Sequence, residues 1–381
     1  MSNSVKKRET FYLAGYDPRG ARHYYNLYKK EAALQSKVNG MTMDISSRKR
    51  TDKHMQSWHI KSSTGDNTTE TNYHFLEWDD IIRKRWNTTT SSIFQDLFYY
   101  MKIYIFSGLI IKFGKLSPGQ MAPAFFPVFY LLLTLLGAYL LGDLFFGLIV
   151  TILPSILSIG IAVLIAYLFI RLMVHIGDKI AVFWLLRIYV FCAKFVFNDM
   201  DTLDERINVF ANHLANVINS SDDNDIDEIL ISAHSVGTII AIPMLAQIFE
   251  KMQLPKDKLE KVSFLTLGEC IPLVSFLEAS HDFKASMSVL GLETNLCWFD
   301  YTSPIDGACF PFLDYYKHSG LKEKGPEYLS PRFHTLYSKE NYIKIKKDKY
   351  LIHFLYLMST DLSGIYDYYK MTAGHRRLSS F

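Results

Sequence analysis

The sequence predicts an α/β domain with a mostly parallel sheet, helices on both of its faces, and an inserted pair of membrane-spanning helices. Three observations lead to this prediction. Apolar strand-like runs alternate with helix-like segments outside residues 96–198. Residues 116–170 carry a single charged side chain, Asp143. A β-branched run ends in the pentapeptide AHSVG at 233–237, and an apolar helix-like segment follows at once.

Residues 10–95 form the first part of the predicted domain. A short strand at 10–14 ends at Gly15, and a second strand is predicted at 73–78. The elements predicted between them are a helix at 21–38, a hairpin of 41–45 with 56–62 across the polar stretch 46–53, and a loop at 64–71.

Residues 96–198 form the predicted membrane insert. A helix needs about 20 apolar residues to cross the hydrocarbon core, so the uncharged stretch predicts spans at about 120–141 and 146–170. Asp143 is placed in a tight turn with Gly142, because a carboxylate in mid-membrane is costly. Pro154 is expected to kink the second span.

Basic residues flank both ends of the insert, which predicts that both ends face the cytoplasm. The aromatic-rich segments 97–113 and 180–197 predict interfacial helices, with ordinary core helices as the alternative. Residues 1–10 are polar and show no secretory signal.

Residues 199–375 form the second part of the domain. Helical spacing predicts a helix at 202–219. The other predicted elements are strands at 229–232, 262–267 and 295–301 and a helix at 236–252.

The most informative motif is the turn from strand to helix at 233–237. A G-x-S-x-G elbow holds its serine in a strained turn, where only small residues fit two positions before and after it. Gly237 satisfies that rule, and Ala233 stands where glycine is usual; His234 and Val236 flank Ser235. An incidental serine in a plain strand–turn–helix is the alternative.

A nucleophilic serine also needs a base and a carboxylate. Asp306 follows the strand at 295–301 in a turn after Pro304, whereas its rival Asp300 lies inside that strand. The later histidines are His318, His334, His353 and His375. His353 is preferred as base because it lies beyond the last strand, and His334, which is compatible with that strand, stays open.

The oxyanion hole is assigned to backbone N–H groups. Val236 follows the nucleophile, and Gly15 and Tyr16 follow the first strand, where the second donor usually lies. The serine must be within reach of a histidine and of substrate, so burial of its oxygen, or a position far from every histidine, would end the case for an enzyme and leave only the membrane-anchored architecture.

With these motifs, the chain resembles the α/β-hydrolase superfamily over roughly residues 10–90 and 200–360. FYLAGYDPRG, YHFLEWDDIIR and IHFLYLMSTD are also similar to an uncharacterised bacterial family of membrane-inserted hydrolase-like proteins. The resemblance implies a serine hydrolase in the bacterial inner membrane with a cytoplasmic catalytic domain. Its expected substrate is an ester, thioester or lipid, and hydrolysis and acyl transfer both stay open. A catalytically silent membrane scaffold that binds partners is the alternative.

Composition excludes other classes. The net charge of +3 and the lack of a basic stripe argue against nucleic acid. Neither metal-ligand spacing nor a phosphate-binding glycine loop predicts a metal or cofactor. The four cysteines show no paired spacing and are expected to be buried thiols. The expected partners are the lipid bilayer and a small-molecule or lipid ester; protein partners are not predicted.

Overall fold

The computed structural model describes residues 4–86, 89–197, 200–222 and 225–381. The chain divides into two compact units, here called the sheet unit (Met1–Trp86 with Cys192–Phe381) and the helical unit (Asn87–Phe191). The helical unit therefore interrupts the sheet unit in sequence.

The sheet unit contains one mixed sheet of nine strands. They are β1 (Lys7–Leu13), β2 (Thr42–Ile45), β3 (Lys49–Asp52), β4 (Met55–Thr64), β5 (Asn67–Leu76), β6 (Glu228–His234), β7 (Val262–Leu267), β8 (Cys297–Tyr301) and β9 (Glu327–Leu329). Their order is β2-β4-β5-β1-β6-β7-β8-β9, and β3 also pairs with β4. From β5 to β9 every neighbouring pair is parallel, and β4 is antiparallel to its partners. The predicted mostly parallel α/β sheet is confirmed.

The α-helices complete the element order. They are α1 (Gly20–Asn39), α2 (Asp79–Arg85), α3 (Thr90–Tyr100), α4 (Leu109–Leu116), α5 (Met121–Ile149), α6 (Ser155–Lys179), α7 (Val182–Val196), α8 (Asp201–Asn219), α9 (Gly237–Glu250), α10 (Lys256–Leu259), α11 (Pro272–Ser275), α12 (His281–Leu292), α13 (Tyr315–His318), α14 (Phe333–Leu336), α15 (Lys339–Ile345), α16 (Lys349–Phe354) and α17 (Tyr368–Ala373). Short 3₁₀ turns lie at Pro118–Gln120, Leu355–Leu357 and Leu378–Ser380, and a π-helical turn at Met101–Ile105.

Helices cover both faces of the sheet. Successive residues of a strand point to opposite faces. Phe11 of β1 packs edge-on against His213 of α8, whereas Tyr12 packs against Tyr24 of α1. The sheet is therefore buried between α8 on one side and α1 on the other.

The segment 64–71, predicted as a loop, is mostly strand. β4 ends at Thr64 and β5 begins at Asn67, and the two residues between them include Gly65 at φ +57°. Thr69 and Thr71 are buried between exposed neighbours. The alternation of β-branched threonines favours a strand here more strongly than the polar composition favours a loop.

The helical unit has two helices long and apolar enough to cross a membrane, α5 and α6. They have 29 and 25 residues, so they are about 44 and about 38 Å long at ~1.5 Å per residue, against a hydrocarbon core of about 30 Å. Their exposed side chains include Leu133 and Ile156.

The turn predicted at Gly142-Asp143 is wrong. Both residues lie inside α5, and the chain reverses between Val150 and Pro154. Gly142 does not end the helix, and a Cβ built on it would lie 3.5 Å from Ala162 O, so α6 packs closely there. Pro154 immediately precedes α6, a position where its ring does not disturb helical hydrogen bonding, and it does not kink the span.

The segment predicted as one interfacial helix at 97–113 is broken. α3, with its π-helical turn, and α4 meet at 68°, where Gly108 has φ +80°. Taken together, these two helices could form a third, bent span by length and composition alone. The segment 180–197 does contain a helix, α7.

The compact unit 87–191 starts and ends earlier than the predicted insert 96–198. Residues 90–95 belong to α3, which lies entirely within the helical unit. At the other end, Cys192–Val196 of α7 belongs to the sheet unit, where Phe195 packs edge-on against Phe283 of α12.

Candidate active site

Ser235 lies in a strained turn between β6 and α9. Its φ is +56°, a conformation that costs a non-glycine residue roughly 1–3 kcal/mol. Its N–H donates to Leu267 O of the neighbouring strand at 2.9 Å. This hydrogen bond ties the turn to the carboxyl end of β7.

Gly237 is required by the crowding of this turn. A Cβ on Gly237 would lie 2.5 Å from Leu13 O and 2.7 Å from Ala14 O, at the end of β1. Ala233 is fully buried at the end of β6, so its methyl group is accommodated. The strand and helix therefore meet as the elbow pattern requires.

Asp306 and His353 form a buried pair. Nδ1 of His353 lies 2.9 Å from Oδ2 and 3.1 Å from Oδ1 of Asp306. The carboxylate also accepts hydrogen bonds from Ala308 N–H at 2.9 Å and from the Tyr356 hydroxyl at 3.2 Å. Burial alone would raise the pKa of Asp306, but the charge and hydrogen bond of His353 bring that pKa below its ordinary value.

An ionised Asp306 sets the tautomer of His353. Nδ1 carries the hydrogen that the carboxylate accepts, so Nε2 holds the lone pair of the neutral ring. In this tautomer the ring can act as a general base through Nε2.

The rival residues lie elsewhere. Asp300 is within β8, where it accepts a hydrogen bond from Thr266 at 2.6 Å. His334 is exposed on α14 and is not part of a strand. The structure therefore brings Asp306 together with His353, which lies on α16 after the last strand.

His234 contacts His353, the residue that carries the base. Its Nε2 lies 2.8 Å from the His353 carbonyl oxygen, and the two rings have centroids 4.7 Å apart. Burial and the neighbouring His353 lower the pKa of His234 to about 3. The ring is therefore neutral, donates from Nε2, and connects the residue before Ser235 to the residue that carries the base.

Ser235 is buried and its hydroxyl faces a thiol. The residue is only 1% exposed, and Oγ lies 3.6 Å from Sγ of Cys270. Cys270 in turn donates to Ala308 O at 3.4 Å. The expectation of an accessible serine oxygen is wrong for this conformation. A substrate can reach Oγ only if the residues over it move.

The predicted oxyanion loop lies against the serine. A Cβ on Gly15 would lie 2.8 Å from Ser235 Cβ and 3.2 Å from Oγ. Tyr16 is buried, with its ring stacked on Trp86 at 5.8 Å. Val236 immediately precedes α9, and the first N–H groups of a helix have no intrahelical acceptors. The backbone at Gly15 therefore lies directly against the serine, and Val236 follows the serine at the start of α9.

A second pair of acids lies beside the site. Glu269 and Asp300 are both buried, and neither forms an ion pair within the described parts of the chain. Burial raises the pKa of Asp300 to about 7, and burial with the nearby Asp300 raises that of Glu269. Two buried carboxyls without a cation do not both ionise readily, so burial favours the neutral form of each.

Sequence reasoning missed two residues of the site, Cys270 and Tyr356, and it missed that His234 hydrogen-bonds the His353 carbonyl oxygen. The position of Cys270 near Ser235 was predictable from the sequence. Cys270 follows β7, and the carboxyl ends of the parallel strands β6 and β7 lie at the same edge of the sheet. Tyr356 carried no comparable signal. Within the described ranges, no group of three His, Cys, Asp or Glu side chains could hold a metal ion.

Comparisons with protein-family models, with curated proteins and with solved structures find no match to this chain. The function is therefore argued from the geometry alone.

Proposed function

We propose that this chain is a membrane-anchored serine hydrolase of α/β-hydrolase type. It acts on an ester, thioester or lipid through an acyl-enzyme on Ser235. The observation that carries the proposal is the strained serine between β6 and α9, at the same sheet edge as the buried Asp306–His353 pair. Ser235 is the nucleophile, His353 the base and Asp306 the carboxylate that orients it.

Strand order supports these roles. β1 lies directly beside β6, so the loop after β1 reaches the serine, where Gly15 and Tyr16 can offer N–H groups to an oxyanion together with Val236. The acid follows β8 and the base follows β9, in the order serine, acid, histidine that is typical of these enzymes.

The chemistry requires a rotation of the serine side chain. Oγ must leave Cys270 Sγ and face Nε2 of His353, which then removes its proton as Oγ attacks the substrate carbonyl. The acyl group is bonded to Oγ, and the leaving group takes the proton from His353. Water, activated by the same histidine, releases the acid and regenerates the serine.

We assign the membrane anchor to α5 and α6, whose length and apolar surface support it. Basic residues on both sides of the insert support a cytoplasmic sheet unit, and a bacterial inner membrane fits this arrangement. The flanking helices α3, α4 and α7 are assigned to the interface. Anchoring would favour substrates that partition into the bilayer.

A second candidate function is a catalytically silent scaffold on the membrane. The burial of Ser235 and its contact with Cys270 favour this alternative, because a resting serine held by a thiol is not poised for attack.

Labelling of the full-length protein in detergent with a fluorophosphonate probe separates these functions. We expect labelling of wild type, and mass spectrometry should map it to Ser235. Ser235→Ala should abolish labelling. The matched control Ser232→Ala, which removes a buried hydroxyl within β6 three residues earlier, should retain it. A folded wild type that the probe leaves unmodified would support the scaffold, and labelling that survives in Ser235→Ala would refute the nucleophile.

A further inference from the structure

Arg19 lies in the loop between β1 and α1, four residues after Gly15. Its guanidinium forms an ion pair with Asp17. Nε lies 2.8 Å from both carboxylate oxygens, and one terminal nitrogen lies 2.6 Å from Oδ2. The Arg19 N–H also donates to Asp17 Oδ1 at 3.0 Å. These bonds close the loop on itself.

Asp17 anchors the loop to the protein interior. Its side chain is 4% exposed, and its Oδ2 accepts the hydroxyl of Tyr24 from α1 at 2.9 Å. Burial opposes ionisation, but the hydrogen bonds and charge of Arg19 outweigh it and lower the pKa of Asp17. The carboxylate is thus charged and fully engaged, and it fixes where the guanidinium can lie.

The other face of Arg19 contacts the helix that carries His353. Its Cζ stands 5.1 Å from the ring centroid of Phe354 and 5.9 Å from that of Tyr350, both on α16. The Phe354 ring in turn lies 5.4 Å from the ring of His234. A planar guanidinium stacks on aromatic faces, which a lysine ammonium does not reproduce.

We propose that Arg19 is a positioning residue that couples the oxyanion loop to the helix bearing the base. One side chain connects the loop 15–19, whose Gly15 lies against Ser235, with residues 350–354, which include His353. The effect of Arg19 on catalysis rests on the proposed function. The coupling between the loop 15–19 and residues 350–354 is a property of the fold and does not.

Hydrogen–deuterium exchange of the full-length protein tests the coupling without any activity. Arg19→Ala should raise uptake by about twofold or more both in 14–20 and in 349–355. Arg50→Ala is the matched control, because Arg50 also makes a partly exposed ion pair, with Glu77 at 2.7 Å, and both residues lie outside the two measured segments. It should leave both segments unchanged. A rise in only one segment, or in neither, overturns the proposal.

The rate of fluorophosphonate labelling tests the consequence for the site. Arg19→Ala and Arg19→Lys should each slow labelling about tenfold, which corresponds to ~1.4 kcal/mol. Arg19→Lys keeps a positive charge beside Asp17 and should therefore keep a thermal midpoint close to wild type, whereas Arg19→Ala should be less stable. Added guanidinium ion should restore part of the labelling rate of Arg19→Ala. It should leave the labelling rate of the control Arg50→Ala unchanged. Normal labelling by Arg19→Ala, or full retention by Arg19→Lys, contradicts the positioning role. A wild type that is not labelled refutes the proposed function, while the exchange result still decides the coupling.

Discussion

β1 and β6 run side by side, and their two ends differ in how they treat buried polar groups. At the amino end, Arg8 and Glu228 are register partners with side chains that are fully buried. At the carboxyl end the same two strands lead to Gly15 and Ser235. The amino end contains a buried ion pair with many hydrogen bonds, whereas the carboxyl end contains a strained serine and buried polar atoms without hydrogen-bond partners in the part of the chain that the structure describes.

The amino end satisfies most of its hydrogen-bonding groups. Nε and one terminal nitrogen of Arg8 bond Glu228 at 2.8 and 2.6 Å, and the guanidinium also donates to Gly374 O and Arg376 O at 2.6 Å each. Glu228 accepts from Ser263 at 3.0 Å and from Leu378 N–H at 2.8 Å. This network links the C-terminal segment 374–378 to the amino ends of β1 and β6.

The carboxyl end leaves polar atoms unused. Nδ1 of His234 and Oε1 of Glu269 are buried with no hydrogen-bond partner among the described residues, and Ser235 holds its positive φ. Unsatisfied groups and strain cost stability, and they persist where a structure over-determines them, often at functional sites. One strand pair therefore concentrates stabilising contacts at one end and backbone strain at the other.

The largest expected effect comes from breaking the amino end. Glu228→Gln keeps the shape but leaves the buried guanidinium of Arg8 without a counter-charge, which should cost about 3–5 kcal/mol of unfolding free energy. Thermal melts in detergent measure the loss. The exposed Glu70→Gln of β5 should change stability by less than ~0.5 kcal/mol. A Glu228→Gln variant as stable as this control would show that the ion pair is not what closes this end.

The next effect is a pH dependence from the carboxyl end. The folded pKa of His234 is about 3, below the unfolded value of about 6.5. The unfolded chain therefore takes up a proton that the folded chain refuses, and stability is lost as pH falls from about 6.5 toward 3. At pH 5 His234 alone should contribute a loss of roughly 2 kcal/mol relative to pH 7.5. The raised pKa values of Asp300 and Glu269 act in the opposite direction, but they do so in wild type and in a His234 variant alike.

His234→Gln should remove this loss, because its amide can still donate to His353 O but does not titrate. Thermal midpoints at pH 7.5 and 5 measure the slope for both proteins. The lowered pKa of Asp306 acts only below about pH 4, outside this window. Parallel slopes for wild type and variant would contradict a neutral, buried imidazole at position 234.

The sequence predicted much of the sheet and the order of the site, for reasons visible in particular residues. Periodicity and β-branching identified β6 and β7, and the β6–α9 junction followed from Gly237 and the apolar helix. The membrane turn was misplaced because charge at Asp143 was weighted above the helix-starting position of Pro154. The position of Cys270 at the carboxyl end of β7 was predictable, but the burial of Ser235 was not, since it depends on how separate loops pack.

The smallest expected effect concerns that contact. The buried, neutral thiol of Cys270, whose pKa is raised by burial, offers Oγ only a weak hydrogen bond, so its removal should be worth less than ~1 kcal/mol, or about fivefold in rate. Cys270→Ala should therefore label up to about fivefold faster than wild type. Cys270→Ser should label more slowly, because a hydroxyl binds Oγ more strongly than a thiol does. The order Ala, wild type, Ser is the signature of a serine restrained by its neighbour, and equal rates in all three would mean that the thiol only fills space.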